Sequence, residues 1–197
     1  MCCIDRLKSQ AKADLRRAKG LAQKPANHFN NIEHRTLLLI RDFDEVAHLK
    51  GIQMCFIELQ DFERSLDPRL PSGADIVDDY IPHMLNRCME CNGNVFVAEL
   101  HEEVAGFATV FTKVKSDDIE DGDTEYGLVS DLVVASKFRR QGIGRKLLEA
   151  AESYAKSNEV SWLRIGVLAE NHSAEGLYDS MGFKRLYIER EKKLSGP

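Results

Sequence analysis

The apolar positions of this chain change period along its length, and each change marks an element. The run Leu37 to Ile40 within Arg35–Arg41 reads as a strand. Asp42-x-x-Glu45 then resembles a capping box, opening a helix from about Phe43 to Ser65 with Gly51 as its weak point. Pro68 and Pro71 mark a loop. A second helix starts near Ala74, with Ile76, Val77, Tyr80, Ile81, Met84, Leu85 and Cys88 on one face. Pro82 should kink or divide it, and Asn92-Gly93 ends it. Val95–Leu100 and Val104–Val114 read as a hairpin across His101-Glu102-Glu103. An acidic loop, Asp117–Glu125, precedes a strand at Tyr126–Val134. Leu147, Leu148, Ala151 and Ala155 keep to one face of a third helix. Trp162–Leu168 alternates as a strand, Asn171 to Gly182 brackets a short helix, and a last strand is expected from Phe183 to about Arg190. The predicted order is β-α-α-β-β-β-α-β-α-β, an α/β (α+β) domain.

Residues 1–33 stand apart as a basic N-terminal extension with a thin apolar stripe, broken at Pro25 and Asn30-Asn31. One domain is expected over 34–197, since 197 residues suit a single sizeable core. The net charge of −5 argues against general nucleic-acid binding. No apolar run approaches the roughly 20 residues a membrane helix needs, and the basic N-terminus lacks the apolar segment of a secretory signal. Five cysteines in no disulfide-like array favour the reducing cytoplasm. Cys88-x-x-Cys91 has no second pair at metal-like spacing, so no metal site is expected.

One junction carries the chemistry. Leu132, Val133 and Val134 end a strand, and Arg139, Arg140, Gln141, Gly142, Ile143, Gly144 and Arg145 form a basic, glycine-bearing turn opening directly into the third helix. The first N–H groups of a helix lack internal partners, and its dipole adds positive potential. Gly142 and Gly144 carry no Cβ, so an anion can approach the backbone. A phosphate or pyrophosphate ligand is expected.

The spacing Arg139-x-x-Gly142-x-Gly144 between strand and helix resembles the pyrophosphate signature of the GNAT superfamily of acyl-CoA-dependent N-acetyltransferases. It is neither the Rossmann nor the Walker pattern. A second match follows: Asn171, then Tyr178 seven residues later, about two helical turns on, then Gly182-Phe183. The resemblance covers about residues 34–192. It implies a mixed, mostly antiparallel twisted sheet of six or seven strands flanked by four helices. It also implies acetyl-CoA as cosubstrate, with the pantetheine arm beside Leu132–Val134 and on Asn171, and Tyr178 near the thioester sulfur as proton donor.

The general base is less defined. The ribosomal-protein alanine acetyltransferases place a glutamate five residues before the asparagine, where this chain has Gly166. Polyamine acetyltransferases carry Glu-Asp where this chain has Ser130-Asp131, so only Asp131 matches. Asp131 is the candidate catalytic carboxylate, with tying down a bulged strand as its alternative role. The acceptor side in this fold lies between the first two helices. Glu58, Phe62 and Glu63 are the expected substrate contacts there, within an acidic stretch that would draw a cation. The reading is direct attack of a primary amine on acetyl-CoA, with a small cationic amine as the expected acceptor. Its alternatives are a protein lysine or N-terminal acetyltransferase and a non-catalytic acyl-CoA-binding module. A monomer or homodimer is expected, with no nucleic-acid or membrane partner.

Overall fold

The computed structural model describes residues 37–116 and 119–194. The expected N-terminal extension lies outside the described residues, as do Asp117 and Asp118 of the acidic loop. Five strands form one sheet in the order β1 to β5: β1 (Leu39–Asp42), β2 (Asn94–Leu100), β3 (Glu103–Lys115), β4 (Glu125–Val134) and β5 (Leu163–Ile165). The first four are antiparallel neighbours, and β4 and β5 are parallel. Four α-helices connect them: α1 (Glu45–Leu66), α2 (Gly73–Glu90), α3 (Ile143–Ser157) and α4 (His172–Ser180).

The alternation seen in the sequence sorts the strands between two apolar layers. Ile52, Phe56, Ile81 and Met84 of α1 and α2 pack with Val97, Phe107 and Val133 on one face of the sheet. Ile143 and Leu147 of α3 pack with Ala98, Leu100, Ala105 and Ala108 on the other. Burying each large side chain contributes about 1.5–3 kcal/mol. Gly51 is where α1 rests on β3: a Cβ there would collide with the Val104 side chain, so close approach explains a residue that weakens the helix locally.

Several boundaries differ from the sequence reading. The N-cap of α1 is Asp44, whose Oδ1 accepts the Ala47 N–H at 2.8 Å, and the Asp44 N–H donates to His48 Nδ1 at 2.8 Å. Asp42 closes β1 instead and accepts the Asn94 Nδ2 hydrogen at 2.7 Å. Pro82 does not divide α2, which runs unbroken through it. The proline sits on the exposed side, where water can satisfy the carbonyl it frees. The hairpin turn is tighter than expected: His101 and Glu102 both take positive φ (53° and 62°), the requirement of a two-residue type I′ turn.

The largest departure is at the C-terminus. The strand expected over Phe183–Arg190 does not form, so the described sheet has five strands rather than six or seven. Strand pairing needs a second backbone to complete its hydrogen bonds, and no described strand pairs with this segment. Leu186, Tyr187 and Ile188 are exposed. Its described polar contacts are exposed ion pairs: Arg185 pairs with Glu175, and Arg69 donates to Glu191 through two bonds of 2.7 and 2.8 Å. The strand expected over Trp162–Leu168 is likewise reduced to Leu163–Ile165.

Candidate active site

The sheet opens where β4 outruns β5. Their pairing covers Gly127–Leu163, Leu128–Arg164 and Val129–Ile165, and then stops. From Ser130 to Val134, β4 continues with β3 on one edge and no strand on the other. A register shift falls at the start of this stretch: Val129 faces Val110 and Asp131 faces Thr109, leaving Ser130 as the extra residue of a bulge. An extended ligand arm could lie along Leu132, Val133 and Val134 as a missing strand would. Of these, Val133 is buried and its two neighbours half-buried.

The opening leads to the basic turn. After β4 the chain makes a short 3-10 turn at Ser136–Phe138, and the Ser136 N–H donates to Glu58 Oε2 of α1 at 2.7 Å. Arg140 (φ 66°) and Gly142 (φ 77°) are both left-handed. Gly142 is the N-cap of α3 and provides no side-chain cap, so the first N–H groups of α3 remain available. A Cβ on Gly142 would meet nothing within 4 Å, so the space over the turn is open. A pyrophosphate fits such a backbone cradle.

The side chains around the turn divide by role. Arg140 and Gln141 are exposed, while Ile143 is buried in the core under α3. The Arg139 Nε–H donates to the Val134 carbonyl at 3.0 Å, and its guanidinium stands 5.8 Å from the centre of the Phe62 ring. Arg145 donates to Ser180 Oγ at 2.8 Å, tying α3 to the end of α4. Gly144 is a packing residue: a Cβ there would lie 3.3 Å from Leu177 of α4.

Asn171 caps α4, its Oδ1 accepting the Ala174 N–H at 3.2 Å. Tyr178 is buried on the inner face of α4, with Phe183 at 6.0 Å between ring centres. Its hydroxyl has no hydrogen-bond partner among the described residues. Burial first, and the charge of Glu63 second, push its pKa up to about 12, so it carries a proton at neutral pH.

Asp131 is 4% exposed. Its Oδ1 accepts the Tyr80 hydroxyl at 2.6 Å and its Oδ2 accepts the Ser130 hydroxyl at 2.7 Å. Burial raises its pKa, partly offset by these hydroxyl donors. Tyr80 is in turn stacked on Phe56, with centroids 4.0 Å apart. Its own pKa is raised by burial and then by Asp131. This link from α2 to the bulge was not foreseen. Its only trace in the sequence is an aspartate on the apolar phase of a strand, together with a tyrosine on the apolar face of a helix. Of the three expected acceptor contacts, Glu58 is committed to Ser136, Phe62 lies under Arg139, and Glu63 is half-buried near Asp131, Tyr80 and Tyr178.

No group of three or more His, Cys, Asp or Glu residues could hold a metal among the described residues. Cys88 and Cys91 are free, and burial pushes the Cys88 thiol up to about 11. No described helix is long and apolar enough to cross a membrane.

A parallel strand pair that parts ahead of an uncapped, glycine-started helix defines the class of α/β protein to which the fold belongs. The family model for the acetyltransferase (GNAT) family matches residues 56–183, and the chain belongs to that family. Members of this family use acetyl-CoA. The chain is 35% identical over 65 residues to GCN5-related N-acetyltransferase 6, chloroplastic, from Arabidopsis thaliana. That match takes in 33% of this chain and 23% of the relative's length. Among solved structures it is similar to a single-site mutant of the BH1408 protein from Bacillus halodurans (TM-score 0.65, 17% identity, 80% of this chain and 99% of that one). It is also similar to PH1933 from Pyrococcus horikoshii OT3 (TM-score 0.63, 22% identity, 78% and 93%). These two likenesses are of fold.

Proposed function

We propose that the protein transfers the acetyl group of acetyl-CoA to a primary amine by direct attack, with a small cationic amine as acceptor. The observation that carries this reading is the unpaired edge of β4 leading into the open Gly142 turn, with the protonated Tyr178 buried on the neighbouring helix. In this reading the backbone from Arg140 to Arg145 holds the pyrophosphate, and Arg139 and Arg140 add positive charge. The edge of Leu132–Val134 and Asn171 hold the pantetheine arm. A main-chain N–H beside the bulge stabilises the carbonyl oxygen as charge develops. Tyr178 gives its proton to the departing sulfur. Asp131 is too enclosed to meet a substrate. It acts by holding Tyr80 and the bulge in place.

Release of free CoA from acetyl-CoA, followed with a panel of polyamines, aminoglycosides, amino acids and lysine peptides, tests this reading. Amine-dependent release is expected, with kcat falling about 100-fold or more in Tyr178→Phe. Turnover of lysine peptides alone would move the acceptor to proteins. Acetyl-CoA binding without turnover of any amine would favour a non-catalytic acyl-CoA module.

A further inference from the structure

The reaction needs a proton acceptor, because an amine arrives as an ammonium ion with an ordinary pKa of about 10.4. One carboxylate on α1 is placed where the helix should be apolar. Ile52, Phe56, Gln60 and Glu63 succeed one another at four, four and three residues, which puts them on a single stripe. The first three are buried against the sheet and α2. Glu63 follows on the same stripe one turn beyond Gln60 and is half-buried. Among the described residues it has no salt bridge and no hydrogen bond. By contrast, Glu58 is spent on Ser136, and Asp61 accepts the Gly73 N–H at 2.8 Å.

We propose that Glu63 is the general base of this transfer, receiving the acceptor's ammonium group and taking one proton from it. This rests on the acetyl-transfer reading above. The titratable groups that act on it electrostatically are Asp131 of β4, Tyr80 of α2 and Tyr178 of α4, none of them cationic. An incoming ammonium therefore supplies the positive charge that the site lacks. Desolvation first, and Asp131 second, raise the Glu63 pKa above the ordinary carboxylate value, which brings it closer to that of a useful base near neutrality.

The protons balance. Glu63 takes one from the ammonium nitrogen and passes it to solvent. The freed nitrogen lone pair forms the new C–N bond at the acetyl carbonyl carbon. The C–S bond then breaks and the sulfur leaves with the Tyr178 proton. Tyr178 recovers a proton from the nitrogen as the amide forms. The products are the N-acetyl amine, CoA thiol and one proton.

The test compares wild type, Glu63→Gln and Glu63→Asp across pH, using the best acceptor of the panel and a fluorinated analogue of lower basicity. For the wild type, the acid limb of kcat/KM should fall at the same pH with both amines, because it reports the enzyme carboxylate. In Glu63→Gln, kcat should fall about 100-fold or more at neutral pH, and the limb should move to the pKa of each amine. Glu63→Asp should recover part of the rate. Acetyl-CoA affinity should be unchanged in both variants, and neither should lower the thermal midpoint. A wild-type limb that tracks amine basicity overturns the proposal without use of any variant. So does a Glu63→Gln loss confined to KM. Absence of amine-dependent turnover in the wild type would instead be a failure of the acetyl-transfer reading itself.

Discussion

The two sides of the candidate site are built by different means. The proposed cofactor side is a continuous stretch of chain, from the free edge of β4 through Arg140 and Gly142 to the first turn of α3, and what it offers a ligand is mostly backbone N–H. The acceptor side is made of side chains from four separate elements: Glu63 of α1, Tyr80 of α2, Asp131 of β4 and Tyr178 of α4. A backbone cradle tolerates most side-chain changes but few changes of φ. A side-chain constellation tolerates backbone variation but loses its chemistry with single atoms. This contrast explains how a family can share one donor while its members differ in acceptor.

The sharpest break should come at Gly142. Gly142→Asp forces a left-handed φ on a side chain and places a negative charge over the turn. The acetyl-CoA Kd should rise about 100-fold, or about 2.7 kcal/mol, while acceptor KM at saturating acetyl-CoA stays near wild type. Equilibrium binding of acetyl-CoA checks this. A change in acceptor KM of the same size would mean that the two sides are not separable.

Tyr80→Phe should injure the opposite side. It leaves buried Asp131 short of one donor, which costs about 1–3 kcal/mol of stability by chemical denaturation. Acceptor kinetics should suffer and acetyl-CoA affinity should not.

The pH dependence of stability follows from Asp131. Its folded pKa lies above the unfolded value of 3.8, so at low pH both states are protonated and there is no penalty. As pH rises past 3.8, the unfolded chain ionises first, and stability falls until the folded pKa is passed. Asp131→Asn should flatten that fall, and denaturation curves from acid to neutral pH would show it.

The smallest effect is expected at Arg69. Removing its exposed grip on Glu191 with Arg69→Ala should leave the thermal midpoint unchanged, because exposed ion pairs stabilise little. Thermal melts of the two proteins at low and high salt should coincide.

Much of the cofactor side was legible because its parts are neighbours in sequence. A strand, a glycine turn and a helix start can be read from local periodicity alone, and Gly142 and α3 stand where the pattern put them. Asn171 as a cap and Tyr178 on the same short helix were equally local. The acceptor side was legible only as a list of residues. Glu58 and Glu63 looked alike in sequence, and only the fold committed one to Ser136 and left the other half-buried without a hydrogen-bond partner among the described residues. The missing last strand has the same origin. The segment carrying Leu186 and Ile188 has the composition of a strand, but a strand also requires a partner, which local sequence cannot provide.

By itself, the sequence determined the element order through the Gly182 stop and the glycine turn that opens α3. These depend on periodicity, capping and glycine placement within a few residues. Tertiary structure alone decided where β4 parts from β5, which carboxylate lies buried beneath Tyr80, and which remains without a partner near Tyr178. Those outcomes depend on groups brought together from distant parts of the chain, where burial and the surrounding charges set each residue's chemistry.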